Sequence, residues 1–394
     1  MATNYGQYQY EIYLGGLSDK KPDFPFELHE LERRFEAEAD PVPRDYVSAG
    51  AGSEDTMRAN LDAFKRWRIV PKMLTNVETR ALDTTVLGTS MPAPVMLAPI
   101  GGIQSLLHPD GELAVARAAA ELDIPLVLST VSSHTLEDVG EAMGDTPRWF
   151  QLYWPSEDAF TKSLLQRAEA AGYSAIVVTL DTRILAWRPR DLRNAYLPFL
   201  RGDSIANYLS DPVFRAGLEK SPEEDLQSAV MRWVQLFSYT STTWESLAFL
   251  RDATELPIVL KGIVHPDDAA KAVEAGMDGL IVSNHGGRQV DGSIATLDAL
   301  PAVRASVPQD YPVLLDSGIR TGADAFKALA LGANSVLLGR PYIWALSVGG
   351  HDAVRQLLRS FLADLDLTLA LAGYTSFAEV GPETLVREGN LPVM

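Results

Sequence analysis

The sequence has no cysteine among its 394 residues. This absence excludes disulfide bonds, thiolate metal sites and cysteine nucleophiles, and no other metal site is predicted. The N-terminal segment MATNYGQYQYEIYLGG lacks a basic region followed by an apolar run, so we expect no signal peptide there. The most apolar window, residues 92–107, is interrupted by prolines and glycines and does not predict a membrane span. A cytoplasmic protein without a membrane partner is therefore expected.

Positive charge is also scarce, since 34 lysines and arginines stand against 52 aspartates and glutamates, giving a net charge of −18. A chain this acidic disfavours nonspecific binding to nucleic acid or to an anionic membrane. Its simplest consequence is solubility. The hydrophobic content of 46% is ordinary for a globular protein with a large core. The length alone allows two or three domains, or one α/β barrel that uses most of the chain.

Short apolar runs recur along the chain, and a helix-like segment follows each of them. They lack polar alternation, which is typical of parallel strands buried on both faces. The eight runs are residues 95–100, 126–130, 149–154, 175–181, 258–262, 279–285, 313–318 and 335–340. Eight β-then-α units predict a (β/α)8 TIM barrel of the α/β class, with a doubly wound open sheet as the alternative.

The predicted organisation is a single domain over residues 1–394. Residues 1–90 are predicted to be a mainly helical N-terminal extension with a β-hairpin near residues 79–90, and residues 91–350 the barrel. The interval 182–256, after the fourth strand, is rich in charged and aromatic residues. A long insertion at the C-terminal face of a barrel usually covers the active site, so we expect that role here. Residues 351–394 are predicted to form a pair of C-terminal helices and a tail.

The segment 281–289 reads IVSNHGGRQ and is the most informative part of the chain. An apolar strand ends there in His285, two glycines and Arg288. Histidine exchanges a proton near neutral pH, whereas arginine grips a carboxylate with two parallel hydrogen bonds. Glycines let the backbone turn tightly and let a ligand approach closely. A base and a carboxylate clamp at the end of a buried strand predict an active site.

Nearly every predicted strand ends in polar residues or glycines, which a purely structural barrel does not need. The function of a TIM barrel lies at these carboxyl ends. The residues concerned are Ala98, Pro99, Ile100, Gly101, Ser129, Gln151, Tyr153, Thr179, Asp181, Lys261, Ser283, Asp316, Ser317, Gly318, Ile319, Arg320, Gly339 and Arg340, with Arg188 shortly after Asp181. The loops after the last two strands are the usual phosphate site of this fold, so we expect residues 318–320 and 339–340 to bind a phosphate.

Lys261 ends an apolar run, where a solvated surface lysine would be out of place. Such a lysine is either a Schiff-base nucleophile or a fixed positive charge beside a cofactor. A Schiff-base aldolase is therefore one alternative function, but it leaves His285, Arg288 and Arg188 without a joint task. A noncatalytic flavin- or phosphate-binding barrel is a second alternative, although a passive binder needs no base.

Six motifs carry a family resemblance over nearly the whole chain. They are SNHGGRQ at 283–289, LKG at 260–262, DSGIRTGAD at 316–324, LGRP at 338–341, QLYWP at 151–155 and TLDT at 179–182. In these motifs the sequence resembles the FMN-dependent α-hydroxy acid oxidases. The segments NYLSDPVF at 207–214, AWRPRDL at 186–192 and EIYLGGL near the N-terminus resemble the lactate 2-monooxygenase branch of that family. The resemblance implies FMN as cofactor, a small 2-hydroxy acid and O₂ as substrates, and a homotetramer or homo-octamer.

The resemblance also implies catalytic roles. His285 would take the hydroxyl proton of the substrate while the α-hydrogen moves to the flavin as hydride, and Asp181 would stabilise the protonated imidazole. Lys261 would lie near the N1–C2 carbonyl edge of the flavin, where negative charge accumulates on reduction. The substrate-binding residues would be Arg188, Arg288 and Tyr46 on the carboxylate and Tyr153 on the hydroxyl or carboxylate.

The resemblance implies how FMN would be held. The isoalloxazine would contact Ser129, Gln151 and Thr179, the backbone of residues 98–101, and Ser283. Asp316 would bind the ribityl hydroxyls. The phosphate would bind residues 318–320 together with Gly339 and Arg340.

The activity that this branch implies is oxidation of L-lactate to pyruvate, which stays bound until peroxide made in the closed site decarboxylates it to acetate, CO₂ and water. The alternative is an oxidase that releases the keto acid and H₂O₂. Val131 stands where glycolate oxidase relatives have a bulky aromatic residue, which is expected to widen the pocket. Gly101, expected beside the flavin N5–C4a edge, has no side chain, and the room there is expected to affect the approach of O₂.

Overall fold

The computed structural model describes residues 4–102, 104–237 and 239–389 of the chain. The part that precedes the barrel is mainly helical, as predicted. Its elements are α1 (Tyr8–Gly16), α2 (Leu28–Glu38), α3 (Pro41–Ser48), α4 (Asp55–Lys65), β1 (Trp67–Ile69), β2 (Thr84–Val86) and β3 (Thr89–Met91). Strands β2 and β3 pair antiparallel, so the predicted hairpin is confirmed.

Eight parallel strands form the closed barrel. They are β4 (Val95–Leu97), β5 (Leu126–Ser129), β6 (Arg148–Leu152), β7 (Ile176–Thr179), β8 (Ile258–Ile263), β9 (Gly279–Val282), β10 (Val313–Leu315) and β11 (Ser335–Leu338). Neighbours in sequence pair with each other, and β11 closes the barrel against β4. Each strand overlaps one of the eight apolar runs, so the predicted TIM barrel is confirmed.

Both faces of these strands are buried, which explains why their sequences are apolar without alternation. The inner core of the barrel contains Val86 and Met91 of the hairpin, Ala98, Ala175 and one residue from each of the eight strands. The eight are Met96, Val127, Trp149, Val177, Val259, Ile281, Leu314 and Leu337. The indole N–H of Trp149 donates to the hydroxyl of Thr89 at 2.8 Å, which fixes the hairpin to the inner core. The strands' other faces pack against the helices.

Helices connect the strands and continue beyond the last one. They are α5 (Gln104–Leu107), α6 (Gly111–Ala120), α7 (Leu136–Met143), α8 (Asp158–Ala170), α9 (Pro189–Arg193), α10 (Ala206–Leu209), α11 (Pro212–Ala216), α12 (Leu226–Phe237), α13 (Leu247–Ala253), α14 (Pro266–Glu274), α15 (Thr296–Ala305), α16 (Gly322–Ala330) and α17 (Arg340–Leu371). Thr135 and Thr321 begin α7 and α16 with capping boxes, in which hydroxyl and carboxylate satisfy the first backbone N–H groups.

The interval between β7 and β8 contains α9 to α13. A β/α repeat needs one helix before β8, and by chain order that helix is α13. The predicted insertion 182–256 therefore includes a barrel helix, and the inserted part is shorter than predicted. The spacing of the strands alone does not distinguish the inserted part from the barrel helix.

The C-terminal part differs from the predicted pair of helices. Residues 351–371 form one uninterrupted helix that continues α17, and the backbone breaks earlier, at Gly349 and Gly350. Two 3₁₀ turns and a strand, β12 (Leu385–Arg387), follow. This strand pairs antiparallel with β1, so it joins the two ends of the described chain.

None of the helices within residues 4–102, 104–237 and 239–389 carries an apolar stretch long enough to cross a membrane. Within the same ranges, His, Asp and Glu side chains form no group of three or more suited to holding a metal ion.

Candidate active site

A cavity with an empty volume of about 1010 Å³ lies where the barrel strands end. Most of the predicted site residues line it. They are Tyr46, Ala98, Pro99, Ile100, Gly101, Tyr153, Arg188, Lys261, His285, Arg288, Asp316, Ser317, Gly318, Ile319, Arg320, Gly339 and Arg340. The other five, Ser129, Gln151, Thr179, Asp181 and Ser283, do not line the cavity and are hydrogen-bonded behind its wall.

The loop after β9 places His285 at the cavity wall. Its backbone is left-handed, with φ of +58° at His285, followed by +64° at Gly286 and +77° at Gly287. Non-glycine residues rarely adopt this conformation, and such strain is concentrated at functional sites. The side chains of Asn284 and Asn60 exchange two hydrogen bonds of 2.8 Å, which ties the loop to α4. The histidine is thus held by the fold rather than by its own backbone preference.

His285 and Asp181 form a hydrogen-bonded pair, with Nδ1 2.9 Å from Oδ1. An ionised carboxylate only accepts, so Nδ1 carries the proton and Nε2 keeps a free lone pair. The hydroxyl of Tyr153 lies 3.5 Å from Nε2. The Thr182 hydroxyl lies 3.1 Å from both Asp181 Oδ1 and Nδ1. The arrangement presents a basic nitrogen and a phenol to the same part of the cavity.

Local charges keep this pair in the ionic states that a base requires. Burial opposes the ionisation of Asp181, but the charges of Lys261 and His285 outweigh it and lower the pKa of Asp181 to about 2. Burial, aided by Lys261, lowers the pKa of His285 below its ordinary value, while Asp181 opposes that change. At neutral pH the pair is therefore a carboxylate and a neutral imidazole.

Two arginines lie together beside this pair. Arg288 Nη1 donates to the carbonyls of Tyr46 at 2.6 Å and Ala49 at 2.8 Å, and its guanidinium lies 4.9 Å from the centroid of the Tyr46 ring. Arg188 Nε donates to the Arg288 carbonyl at 3.0 Å, and its Nη2 donates to Gln289 Oε1 at 2.8 Å. Burial, aided by the charge of Arg188, lowers the pKa of Arg288. Two guanidinium groups held this close favour an anion such as a carboxylate.

Lys261 is buried and bonded on both sides. Its Nζ donates to Ser283 Oγ at 2.9 Å and lies 3.4 Å from Asp316 Oδ2. Ser283 Oγ also accepts from the backbone N–H of His285 at 3.1 Å. Burial lowers the pKa of Lys261, but the charges of Asp316 and Asp181 outweigh it and leave the pKa above its ordinary value. Lys261 is therefore a fixed positive charge in the cavity wall.

Three polar side chains form a buried chain of hydrogen bonds across the ends of β5, β6 and β7. Ser129 Oγ donates to Gln151 Oε1 at 3.0 Å, and Gln151 Nε2 donates to Thr179 Oγ1 at 2.8 Å. All three are buried. The structure brings these predicted flavin contacts together, although they lie behind the residues that line the cavity.

The ends of β10 and β11 hold two further arginines. Arg340 donates to the carbonyls of Val47 at 3.1 Å, Gly286 at 3.0 Å and Ala49 at 3.1 Å. Burial and the charges of Arg288 and Arg320 lower the pKa of Arg340 to about 9. The Arg320 guanidinium lies 5.0 Å from the centroid of the Trp344 ring. Within the described ranges neither Arg320 nor Arg340 forms an ion pair with a carboxylate, so this end of the cavity is electropositive and suits a phosphate.

The residues present fit FMN. A Cβ added to Gly339 would meet nothing nearer than Ile100 Cδ1 at 3.8 Å and Ala98 Cβ at 4.0 Å, so the backbone there is not tightly packed, and it lines the cavity. Asp316, the arginines that suit a phosphate and the fixed charge of Lys261 line the same cavity. These groups match a flavin nucleotide: the arginines suit its phosphate, the Asp316 carboxylate can accept from its ribityl hydroxyls, and Lys261 suits its N1–C2 edge.

Gly101 has a different role from the one expected. A Cβ at this position would lie 2.1 Å from the Val131 carbonyl oxygen and 2.6 Å from Ser129 Oγ. The missing side chain therefore permits close packing of the loops after β4 and β5, and it does not leave open room in the cavity. The expectation that Gly101 provides space for O₂ is wrong in this structure.

Four of the residues that the structure places at the site had no role assigned from the sequence and bear directly on its chemistry or shape. Thr182 contacts His285 and Asp181, and Gln289 Nε2 donates to the Asp181 carbonyl at 2.7 Å. Phe199 and Phe237, both from the segment between β7 and β8, line the cavity. Thr182 and Gln289 lie inside the motifs TLDT and SNHGGRQ, which was the available signal. For the two phenylalanines, the only signal in the sequence was that their segment is rich in aromatic residues.

Comparison with known proteins gives three kinds of match: a protein family, related sequences and a solved structure. The family model for FMN-dependent dehydrogenases matches residues 36–387. An L-lactate oxidase of Lysinibacillus sphaericus is 41% identical over 383 residues, covering 97% of this chain and 98% of that protein. An FMN-dependent alpha-hydroxy acid dehydrogenase of Penicillium citrinum, qulF, is 42% identical over 389 residues, covering 98% of this chain and 96% of that protein. The crystal structure of a mandelate oxidase has a TM-score of 0.80 and 37% identity, covering 92% of this chain and 98% of that chain.

Proposed function

Because this chain belongs to the family of FMN-dependent dehydrogenases and is an FMN-dependent 2-hydroxy acid oxidoreductase, we propose that its substrate is L-lactate. The observation that carries the proposal is the Asp181–His285 pair, which faces the same cavity as Arg188 and Arg288. A base and a carboxylate clamp are what the oxidation of a 2-hydroxy acid needs from the protein. The similarity to an L-lactate oxidase supports lactate among such acids.

The proposed binding mode follows from which groups remain available. Within the described ranges, Arg288 Nε and Nη2 make no hydrogen bond, so they are free to hold the substrate carboxylate. Arg188 adds its charge, and Tyr46 and Tyr153 offer hydroxyl donors in the same cavity. The apolar side chains of Val131, Phe199 and Phe237 are left for the alkyl group.

The proposed chemical step is proton transfer to His285 Nε2. With the carboxylate held, the substrate hydroxyl lies near Nε2 and Tyr153, and the imidazole takes its proton as the α-hydrogen departs. FMN, when bound, supplies the two-electron acceptor for that hydrogen. Asp181 stabilises the imidazolium that forms, and Lys261 provides positive charge for the acceptor. Lys261 as a Schiff-base nucleophile is disfavoured, because such a nucleophile must be uncharged and Asp316 keeps this lysine protonated.

We further propose that pyruvate stays bound and is decarboxylated, so that lactate and O₂ give acetate, CO₂ and water. Residues of the long segment between β7 and β8 line the cavity, which supports retention of the product. The second candidate is an oxidase, in which lactate and O₂ give pyruvate and H₂O₂. The Lysinibacillus sphaericus relative is an L-lactate oxidase, which favours that candidate. A cytoplasmic homotetramer or homo-octamer remains a prediction.

One experiment with purified holoenzyme tests these proposals. L-Lactate is added first without O₂, and the visible flavin absorbance is followed; bleaching is expected, and its absence would overturn lactate as the substrate. O₂ is then admitted and the products are measured. Acetate and CO₂ without H₂O₂ would support product retention, whereas stoichiometric pyruvate and H₂O₂ would overturn it in favour of the oxidase.

A further inference from the structure

A second cavity lies against the wall of the active-site cavity. Its empty volume is about 1260 Å³, and Tyr153, Thr182 and Phe237 line both cavities. We call this second cavity the annex. Trp154, Tyr239, Trp244 and Leu247 form much of its apolar lining. Apart from the shared wall and Thr179, a predicted flavin contact, the proposed reaction uses no group of the annex.

Of the three shared residues, only Phe237 is free of the polar contacts of the site. Tyr153 and Thr182 both lie within hydrogen-bonding reach of His285. Phe237 instead makes ring contacts, with centroids 5.2 Å from Tyr153, 4.7 Å from Trp233 and 6.2 Å from Phe199. It is the last residue of α12 and is buried. Its ring therefore separates the two cavities without taking part in the polar arrangement around His285.

The aromatic side of the annex suits an aromatic group, whereas Arg183, Asp268 and several threonines line the rest of it. The Trp154 ring meets Tyr239 edge to face with centroids 6.0 Å apart, and it stacks on Phe249 at 6.2 Å. Aromatic side chains favour such offset and edge-to-face neighbours, so a phenyl group would find partners of the same kind there. The carboxylate and hydroxyl of a larger substrate would still be held by the arginines and His285 in the active-site cavity.

We propose that Phe237 sets the upper size of the 2-hydroxy acid, by closing the active-site cavity against an annex that receives an aromatic side chain once this ring is removed. This inference rests on the proposed function, because it assumes that the acid is oxidised beside His285. It identifies Phe237 as a specificity-determining residue, and it names aryl-substituted 2-hydroxy acids as the class that a Phe237 variant accepts.

The test compares L-lactate with L-3-phenyllactate, which differs only by a phenyl ring on the methyl carbon. In Phe237→Ala, the ratio of kcat/KM for phenyllactate to that for lactate is expected to rise about 10- to 100-fold, the range that a few pocket atoms provide. The matched control is Phe199→Ala, which enlarges the active-site cavity but does not line the annex. An equal rise in the control would overturn the proposal, as would no rise in Phe237→Ala.

A third variant tests whether the annex receives the ring. Thr242 is a partly buried annex residue outside the active-site cavity. Thr242→Trp alone is expected to leave lactate turnover unchanged, and in the Phe237→Ala background it should remove the gain on phenyllactate. A gain that survives Thr242→Trp would overturn the annex as the binding place. Flavin absorbance and melting temperature report folding, and Phe237→Leu replaces Phe237→Ala if the latter does not fold.

A binding measurement separates this inference from the proposed function. In the His285→Gln background, calorimetric Kd values for phenyllactate are compared with Phe237 present and with Phe237→Ala. Tighter binding in the double variant supports the specificity role even if the wild-type protein does not oxidise lactate. Unchanged binding overturns that role even if lactate is oxidised.

Discussion

At the scale of single residues, burial and two neighbouring charges set the protonation state of His285. Burial and the charge of Lys261 lower its pKa, whereas Asp181 raises it through the Nδ1–Oδ1 contact of 2.9 Å. The balance leaves a neutral imidazole whose Nε2 faces Tyr153. A base that is neutral at the working pH and becomes an imidazolium beside a carboxylate suits abstraction of a hydroxyl proton.

Replacing His285 should remove turnover without removing the cofactor. In His285→Gln we expect kcat/KM for L-lactate to fall roughly 10²- to 10⁴-fold or more, the usual contribution of a positioned base. The residues that fit the phosphate of FMN lie on other strands, so the flavin absorbance should remain. The matched control is His29→Gln, because His29 is exposed on α2. Normal activity of His285→Gln would contradict the assignment of the base.

The pH profile tests the coupling between His285 and Asp181. Because the base must be neutral and the pKa of His285 is lowered, log kcat/KM should be flat near pH 7 and fall only below the ordinary histidine value of about 6.5. Asp181→Asn removes the charge that raises this pKa. The low-pH fall should therefore move to lower pH, while the plateau drops roughly 10²-fold because the imidazolium loses its carboxylate. A fall that moves to higher pH would contradict this account.

At the scale of elements, the loop after β9 and helix α4 stabilise each other. The residue that precedes α4, Glu54, has a left-handed backbone, and its side chain makes no capping hydrogen bond. Asp291 supplies the cap from the β9 loop, since its carboxylate accepts from the backbone N–H of Ser53 at 2.6 Å, Asp55 at 2.7 Å and Thr56 at 3.3 Å. The same loop carries His285 and Arg288, so this contact fixes the site against the N-terminal extension.

Removing this cap should destabilise the fold in a pH-dependent way. Asp291→Ala is expected to lower the free energy of unfolding by about 1 kcal/mol, the usual value of a lost cap. Hydrogen bonds from Ser53 lower the pKa of Asp291 to about 2, so its contribution is present above the unfolded value of about 3.8 and is lost as the pH falls through about 2. Urea unfolding of both proteins should show a constant difference above pH 4 that shrinks below it. A difference that grows on acidification would contradict this reading.

The barrel strands were predictable because burial on both faces leaves an apolar signature in each run. Parallel strands in a barrel all end at the same face. The predicted strands were therefore enough to predict that His285, Asp181, Lys261 and Arg288 lie close together. The strand pair β1–β12 was not predictable, since Trp67 and Arg387 meet from opposite ends of the chain. A strand of only three residues has too short a sequence pattern to identify a partner strand that far away in the chain.

The segment between β7 and β8 shows a different limit of sequence reasoning. Its short helices α9 to α11 have at most five residues each, so none spans enough turns to show a helical period. Which of its aromatic residues face the cavity depends on tertiary packing. Phe199 and Phe237 do so, whereas Trp187 is 74% exposed. The positions of the first two therefore required the structure.

At the scale of the whole molecule, the cavity lies where distant parts of the chain meet. Arg340 begins α17 and binds the carbonyls of Val47 and Ala49 in the N-terminal extension and of Gly286 after β9. A buried ion pair, Arg80 Nη2 to Asp366 Oδ2 at 2.9 Å, joins the N-terminal extension to α17 a second time. A phosphate bound near Arg340 would add a further connection among these parts, so cofactor binding and global stability should be coupled.

Adding FMN to the apoprotein should therefore raise its melting temperature. A ligand that binds only the folded state at 100 times its Kd stabilises that state by about 2.7 kcal/mol. Arg320 is the residue to change, because within the described ranges its guanidinium donates only to the neighbouring Ile319 carbonyl, and a methionine side chain can still cover the Trp344 ring on which the guanidinium lies. Arg320→Met should leave the melting temperature of the apoprotein nearly unchanged and shift the FMN titration to higher concentration.

Riboflavin, which lacks the phosphate, is the matched ligand for this titration. The wild-type apoprotein should gain more stability from FMN than from riboflavin at equal concentration, and Arg320→Met should lose much of that preference. Because both ligands share the isoalloxazine and ribityl groups, the difference between them reports the phosphate contact alone. If Arg320→Met weakened both ligands equally, Arg320 would act on the ring or the fold, and the phosphate would have to be held elsewhere.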